Sequence, residues 1–278
     1  MALLQVHYLS EAIKRIVTFH MYLPNDVQGE FKEGNPNYER ETKTLYLLHG
    51  FTGNTTDWVS GSDTMELSRK YNLAIVMPSG ENSFYIDRKA TGQAYETYVS
   101  RELREYVSST FCLSDKKEDV FIGGLSMGGF GALRMGIKNS DRYGAAFGLS
   151  SALIIDEVSR LTPDDKDGFA LQLANYEYYR EIFGDLDKLK ESPCNPEFLV
   201  KENKKNGKKT LPVFLACGTE DALLENNRRF RDFLQEQGED VVYYESVGIH
   251  NWKFWNEYLE PAIIWALERS RKEKEEEK

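Results

Sequence analysis

Glu118-Asp119-Val120-Phe121-Ile122, then Gly123-Gly124-Leu125-Ser126-Met127-Gly128-Gly129, then Phe130-Gly131-Ala132-Leu133-Arg134-Met135-Gly136-Ile137-Lys138 is the stretch that decides the fold. The first segment ends in a short apolar run with the β-branched and aromatic content of a buried strand. The last places apolar residues at helical spacing. Between them a serine sits inside G-x-S-x-G. Strand, tight glycine-flanked turn and helix is the setting in which this pattern pushes a serine Oγ clear of a sheet. Glycines at 124 and 128 allow strand and helix to approach closely around it. The pattern alone is common; its flanks give it weight.

Outward from that turn, the chain alternates. Residues 3–9 and 15–23 interleave apolar and polar side chains and suit two antiparallel strands. Residues 24–40, with Gly29, Gly34 and Pro36, read as loop. Strands are expected over 43–48 and 73–77, a helix over 62–71, a loop over 80–92 and an amphipathic helix over 94–111. Beyond the serine turn come strands over 143–149, 211–217 and 240–247, and helices over 222–237 and 252–271. Residues 152–208 break the rhythm with Pro163, Pro193, Pro196 and the cluster Tyr176, Tyr178, Tyr179. They read as a small helical insertion over the sheet, cap-like above the serine. The prediction is an α/β protein of one domain over 1–278. Its eight-stranded, mostly parallel sheet has antiparallel N-terminal strands and helices on both faces.

Composition narrows the function. A chain of 278 residues, 41% hydrophobic and 29% charged, can bury one substantial core. Its net charge of −10 argues against nucleic acid or an anionic membrane as partner. The one basic cluster, Lys201, Lys204, Lys205, Lys208 and Lys209, is interrupted by Glu202 and lacks aromatics, so a solvated loop is expected. Cys112, Cys194 and Cys217 are far apart and form no C-x-x-C pair, which indicates neither a disulfide framework nor a zinc site. Residues 1–15 hold Glu11, Lys14 and Arg15 and no apolar signal core, and no run is long enough to span a bilayer. A soluble, cytoplasmic protein is expected, with homo-oligomerisation left open.

A serine hydroxyl needs an adjacent base, itself oriented by a third group. In the chain order serine, acid, histidine, only His250 of the four histidines follows Ser126, just past the last strand. The acid belongs at the end of the strand between them, where Gly218-Thr219-Glu220-Asp221 offers two carboxylates. Asp221 is favoured over Glu220, although it also suits the cap of the next helix. Glu245 is a further candidate. Donors for a developing oxyanion are expected from the Met127 amide and, in the glycine loop His49-Gly50-Phe51-Thr52-Gly53, from Phe51. Trp58, Tyr85 and Trp252 lie in or beside loops at this edge, where they could wall an acyl or alcohol pocket or simply pack. No phosphate-cradling glycine pattern follows a strand.

The motifs Leu47-Leu48-His49-Gly50-Phe51-Thr52-Gly53, Gly124-Leu125-Ser126-Met127-Gly128-Gly129, Cys217-Gly218-Thr219-Glu220-Asp221 and His250-Asn251-Trp252-Lys253-Phe254-Trp255 resemble, in order and spacing, those of the esterase D family. This family of α/β-hydrolases includes tributyrin esterases, S-formylglutathione hydrolases and feruloyl or acetylxylan esterases. The match spans nearly the whole chain and is closest to the tributyrin esterase branch. The resemblance implies Ser126 as nucleophile, Asp221 as acid, His250 as base, Phe51 and Met127 as oxyanion donors, and no cofactor or metal. The function expected is a serine carboxylesterase acting on short-chain acyl, aryl or sugar esters, acetylated or feruloylated carbohydrates among them. A thioesterase of the S-formylglutathione type or an acyltransferase is the alternative within acyl chemistry. A non-catalytic binding module on the same fold is the alternative outside it.

Overall fold

In the computed structural model, which describes residues 1–88 and 91–276, eight strands form one sheet. They are β1 (Ala2–Ser10), β2 (Arg15–Leu23), β3 (Lys43–Leu48), β4 (Leu73–Pro78), β5 (Val120–Leu125), β6 (Ala145–Leu149), β7 (Val213–Gly218) and β8 (Val241–Ser246). The spatial order is β1-β2-β4-β3-β5-β6-β7-β8. β1 pairs antiparallel with β2, and β2 with β4; every later pairing is parallel. From β3 the chain first moves outward to β4, then crosses back to β5 and continues the other way. The direction of winding therefore reverses between β3 and β5, where the loops leaving the carboxyl ends of neighbouring strands diverge and open a crevice. Ser126 follows β5 directly.

The helices that matter here are α1 (Thr64–Tyr71), α2 (Leu103–Phe111), α3 (Met127–Lys138), α4 (Tyr176–Phe183), α5 (Pro196–Lys205), α6 (Leu224–Glu236) and α7 (Trp252–Glu276). They cover both faces, and the strands alternate to match. Leu45, Leu47, Phe121 and Leu125 join Leu67 and Tyr71 of α1 and Phe254, Leu259 and Ile263 of α7 in one core layer. Tyr46, Leu48, Val120 and Ile122 join Val107 of α2, Phe130 and Leu133 of α3 and Phe230 of α6 in the other. Each such side chain contributes about 1.5–3 kcal/mol on burial.

Several local expectations change. The loop over 24–40 contains helical turns at Gly29–Lys32 and Pro36–Glu39. The helix expected over 62–71 starts at Thr64, and a separate turn of helix, Asp57–Gly61, precedes it and buries Trp58. Ser62 Oγ donates to Trp58 O at 2.6 Å, capping that turn. The helical run from 95 to 111 contains a π turn at Tyr98–Glu102. The expected loop over 80–92 carries a short ladder of Asp87–Arg88 with Gln93–Ala94; residues 89 and 90 lie outside the described residues. The basic cluster is partly helical: Lys201, Lys204 and Lys205 belong to α5, where Lys205 faces Glu202, and Lys208 beyond it faces Asp141. α7 extends past 271 to Glu276, with Pro261 inside it.

The insertion packs on the α3 side of the sheet. Asn203 Nδ2 of α5 donates to Ile137 O at 2.8 Å, and Arg134 Nε of α3 donates to Pro193 O at 3.1 Å. Phe183 of α4 meets Phe130 edge-on at 6.1 Å. At the crevice the insertion presents Tyr178, whose ring meets that of Phe51 edge-on at 5.7 Å. Among the described residues no helix is long and apolar enough to cross a membrane.

A Cβ on Gly128 would lie 2.3 Å from Leu48 O and 2.6 Å from His49 O, both backbone atoms that cannot rotate away. Gly128→Ala is therefore expected to lower the unfolding free energy by about 2–4 kcal/mol in urea titrations. Gly29→Ala, with nothing within 4 Å, should shift it by less than about 0.5 kcal/mol.

Candidate active site

Ser126 occupies a sharp turn at φ +53°, ψ −120°. A non-glycine residue there costs on the order of 1–3 kcal/mol and is held only by its surroundings. Those surroundings are backbone: its N–H donates to Leu149 O at 2.9 Å, and its carbonyl accepts from Phe130 N–H at 3.0 Å and Ala152 N–H at 2.9 Å. A Cβ on Gly124 would stand 2.5 Å from Gly128 C, so strand and helix meet with no side chain between them. The Oγ is thus held at the carboxyl edge of the sheet, on the half-buried side chain of Ser126.

The loops after β7 and β8 bring the other two groups to it. Thr219 N–H donates to Ser246 O and Glu220 N–H to Gly248 O, both at 2.9 Å, which locks the two loops in register. His250 Nε2 then lies 3.0 Å from Ser126 Oγ, and His250 Nδ1 lies 2.9 Å from Asp221 Oδ2. The second Asp221 oxygen accepts the Leu223 N–H at 2.9 Å, so one carboxylate both orients the imidazole and opens α6. α6 begins at Leu224, two residues later than expected. The Asp221 side chain is fully buried and that of His250 36% exposed. Burial alone pushes the Asp221 carboxyl up, but hydrogen bonds from His250 and Leu223 N–H outweigh it and leave it below the ordinary carboxylate range. Glu220 is exposed. Glu245 is gripped by Arg228 at 2.7 and 2.8 Å, and that guanidinium holds it down to about 2. Of the three carboxylates, Asp221 is the one hydrogen-bonded to the histidine.

The loop after β3 faces this group. A Cβ on Gly50 would lie 3.3 Å from Ser126 Cβ. Among the described residues the N–H groups of Phe51 and Met127 have no hydrogen-bond acceptor, and Met127 begins α3, whose N-terminal dipole favours negative charge. His49 is buried inside the loop, and burial lowers its pKa. Gly80 N–H donates to its Nε2 at 2.8 Å, so the proton sits on Nδ1, which donates to Gly50 O at 2.7 Å. Because a trans peptide aims its N–H opposite its C=O, this bond also directs the Phe51 N–H.

Two aromatic residues expected as pocket walls sit elsewhere. Trp58 and Tyr85 are buried to 1% and 0% exposure beneath the loop. Trp58 Nε1 donates to Leu48 O at 3.0 Å, and the Tyr85 hydroxyl to His49 O at 3.1 Å, so both support the loop from below. Trp252 is half-buried and packs edge-on to Trp58 and Trp255, each at 5.2 Å. Trp255, the last residue of the motif that opens with His250, meets the His250 ring edge-on at 5.0 Å. Among the described residues no group of three or more His, Cys, Asp or Glu side chains converges as a metal site.

The Esterase family model matches residues 10–266. An acetyl esterase of Caldicellulosiruptor saccharolyticus is 40% identical over 265 residues, 95% of this chain and 98% of that protein. The chain belongs to the Esterase family. It is a carboxylic ester hydrolase of the α/β-hydrolase type, and its substrate is a small-molecule ester. The fluorophosphonate-binding serine hydrolase F of Staphylococcus aureus superposes on the esterase with TM-score 0.81 at 26% identity, covering 96% of this chain and 98% of that one. An S-formylglutathione hydrolase of the same organism superposes with TM-score 0.79 at 25% identity, with the same coverage.

The depressed Asp221 carboxyl has a pH consequence. It binds fewer protons folded than unfolded, so its contribution is full above the ordinary carboxyl value of 3.8 and lost as pH falls through the lower folded value. Urea unfolding followed from pH 6 downward should show the wild-type esterase losing stability faster than Asp221→Asn, which has no proton to take up there.

Proposed function

We propose that the esterase is a serine carboxylesterase working through an acyl-enzyme on Ser126, with short-chain acyl esters, acetyl esters foremost, as substrates. The observation that carries this reading is the unbroken chain Asp221–His250–Ser126, at 2.9 and 3.0 Å, beside two N–H groups without acceptors. His250 Nε2 takes the Ser126 proton as Oγ attacks the ester carbonyl, and Asp221 stabilises the imidazolium at Nδ1. The Phe51 and Met127 N–H groups receive the oxyanion as it forms. His250 then protonates the departing alcohol, and the acyl group remains on Oγ. Water attacks the acyl-enzyme with His250 again as base, which releases the acid and restores Ser126.

The acetyl preference draws support from the acetyl esterase relative. An acylated carbohydrate as the alcohol partner fits the open, half-exposed position of His250. The insertion over 152–208, which reaches Phe51 through Tyr178, is the segment we assign to substrate choice. A thioester reading draws on the S-formylglutathione hydrolase neighbour, and comparing rates on S-formylglutathione and on acetyl esters separates the two.

Ser126→Ala should lower kcat on an aryl acetate by about 10⁴-fold or more, leave the far-ultraviolet circular dichroism unchanged and abolish fluorophosphonate labelling. Retained turnover or labelling would sink the assignment.

A further inference from the structure

Three features around the Phe51 loop have no place in the reaction as described. The first is conformational. Glu81, Phe84 and Tyr85 adopt φ values of +45°, +50° and +54°, and Thr52 across from them adopts +65°. Three left-handed non-glycine residues within five positions are costly, and such strain persists where surrounding contacts over-determine it. The second is what holds that turn. Ser83 Oγ donates to Gly80 O at 2.5 Å and accepts the Tyr85 N–H at 3.0 Å, closing the turn on itself. The third is where the turn points. Gly80 N–H and the Tyr85 hydroxyl hold His49, while Asn82 Oδ1 accepts the Thr52 N–H at 2.8 Å.

The Asn82 bond falls on the peptide immediately after Phe51. His49 fixes the Gly50–Phe51 peptide through Gly50 O; Asn82 fixes the Phe51–Thr52 peptide through Thr52 N–H. With both flanking planes set, Phe51 has no remaining freedom to swing its N–H. Thr52 by itself prefers negative φ, and relaxation toward it would rotate this loop. Asn82 is in turn held from the insertion, because the Tyr178 hydroxyl donates to Asn82 O at 2.5 Å while the Tyr178 ring packs against Phe51.

We propose that Asn82 is a positioning residue that keeps the Phe51 N–H aimed at the developing oxyanion, and that Tyr178 couples the insertion to it. This rests on the reading of Phe51 as an oxyanion donor. Asn82 touches neither substrate nor Ser126; it acts through the Thr52 peptide. An oxyanion donor moved out of line loses transition-state stabilisation while ground-state binding of a small ester is unaffected.

The test uses the intact esterase with an aryl acetate. Asn82→Leu should lower kcat by about 10–100-fold, with KM changed less than about threefold. Asn82→Asp retains an acceptor oxygen and should return kcat to within about fivefold of wild type. Tyr178→Phe should cost about three- to tenfold, and adding it to Asn82→Leu should cost almost nothing more, since both act through one chain of contacts. Amide exchange of the Thr52 N–H should accelerate in Asn82→Leu. Unchanged exchange, or losses in the two variants that simply multiply, would overturn the positioning role. Accelerated exchange with wild-type kcat would instead show that Phe51 is not the donor, and the role would fall with it. If Asn82→Leu fails to fold, Asn82→Asp and Tyr178→Phe still decide: a loss in Asn82→Asp as large as about 100-fold, or none in Tyr178→Phe, overturns the proposal.

Discussion

Everything at this site depends on a contact made without side chains. Gly128 packs its Cα against the carbonyls of Leu48 and His49, and Gly124 packs against Gly128 itself. This brings the end of β3, the end of β5 and the first turn of α3 together at backbone distance. Three things follow from the one approach. Ser126 is forced into its positive-φ turn. Met127 begins α3 directly after it. The loop carrying Phe51 arrives beside Ser126, close enough that a Cβ on Gly50 would touch it. Larger residues at 124 or 128 would separate these elements, and no side-chain adjustment could bring them back.

The opposite half of the site follows the same logic with different material. Gly218 approaches Gly248 so closely that a Cβ would fall 2.3 Å from its carbonyl oxygen. That contact, with the two backbone bonds from Thr219 and Glu220, fixes the loops that carry Asp221 and His250. Asp221 and His250 are therefore placed by backbone registration between β7 and β8, not by a search of flexible side chains. Asp221 serves both helix and histidine, which orients it doubly and keeps it ionised in spite of burial.

How much of this was legible follows from what each signal depends on. The eight strands, their mostly parallel sense and the serine turn were readable because hydrophobic periodicity and glycine spacing are local. His250 and Asp221 could be named because chain order leaves one histidine and a short acidic stretch after the later strands, and the structure hydrogen-bonds the two to each other. Trp58 and Tyr85 were misplaced because sequence shows that a residue lies in a loop, not which way its side chain turns. Both turn inward, each finding a carbonyl for its polar tip, as a buried indole or phenol must. The turn helix at Asp57–Gly61 was missed because four or five residues carry too little periodicity to reveal it. Asn82 could not be singled out from one sequence, because its partner Thr52 lies thirty residues away, and Trp255 shows there only as one of several aromatic residues at the start of α7.

The insertion is anchored at the opposite end of α3 from the serine turn. Its anchorage is to the back of α3: Arg134, 2% exposed, pairs with Glu96 and donates to Pro193 O, and Asn203 bonds Ile137 O. A buried ion pair of this kind contributes little net stability, since desolvation offsets most of its attraction. Removing one partner, however, leaves a charge stranded at a cost of about 3–5 kcal/mol. The pair therefore fixes where the Arg134 guanidinium sits, and with it the donor to Pro193 O of the insertion, more than how stable the protein is. Since α3 also carries the serine turn at its other end, the insertion is referenced to the same rigid body as Ser126. Its sequence between the anchors is then free to vary, provided that the element meeting Phe51 keeps its place. Variation there leaves the backbone contacts that create Ser126's geometry untouched.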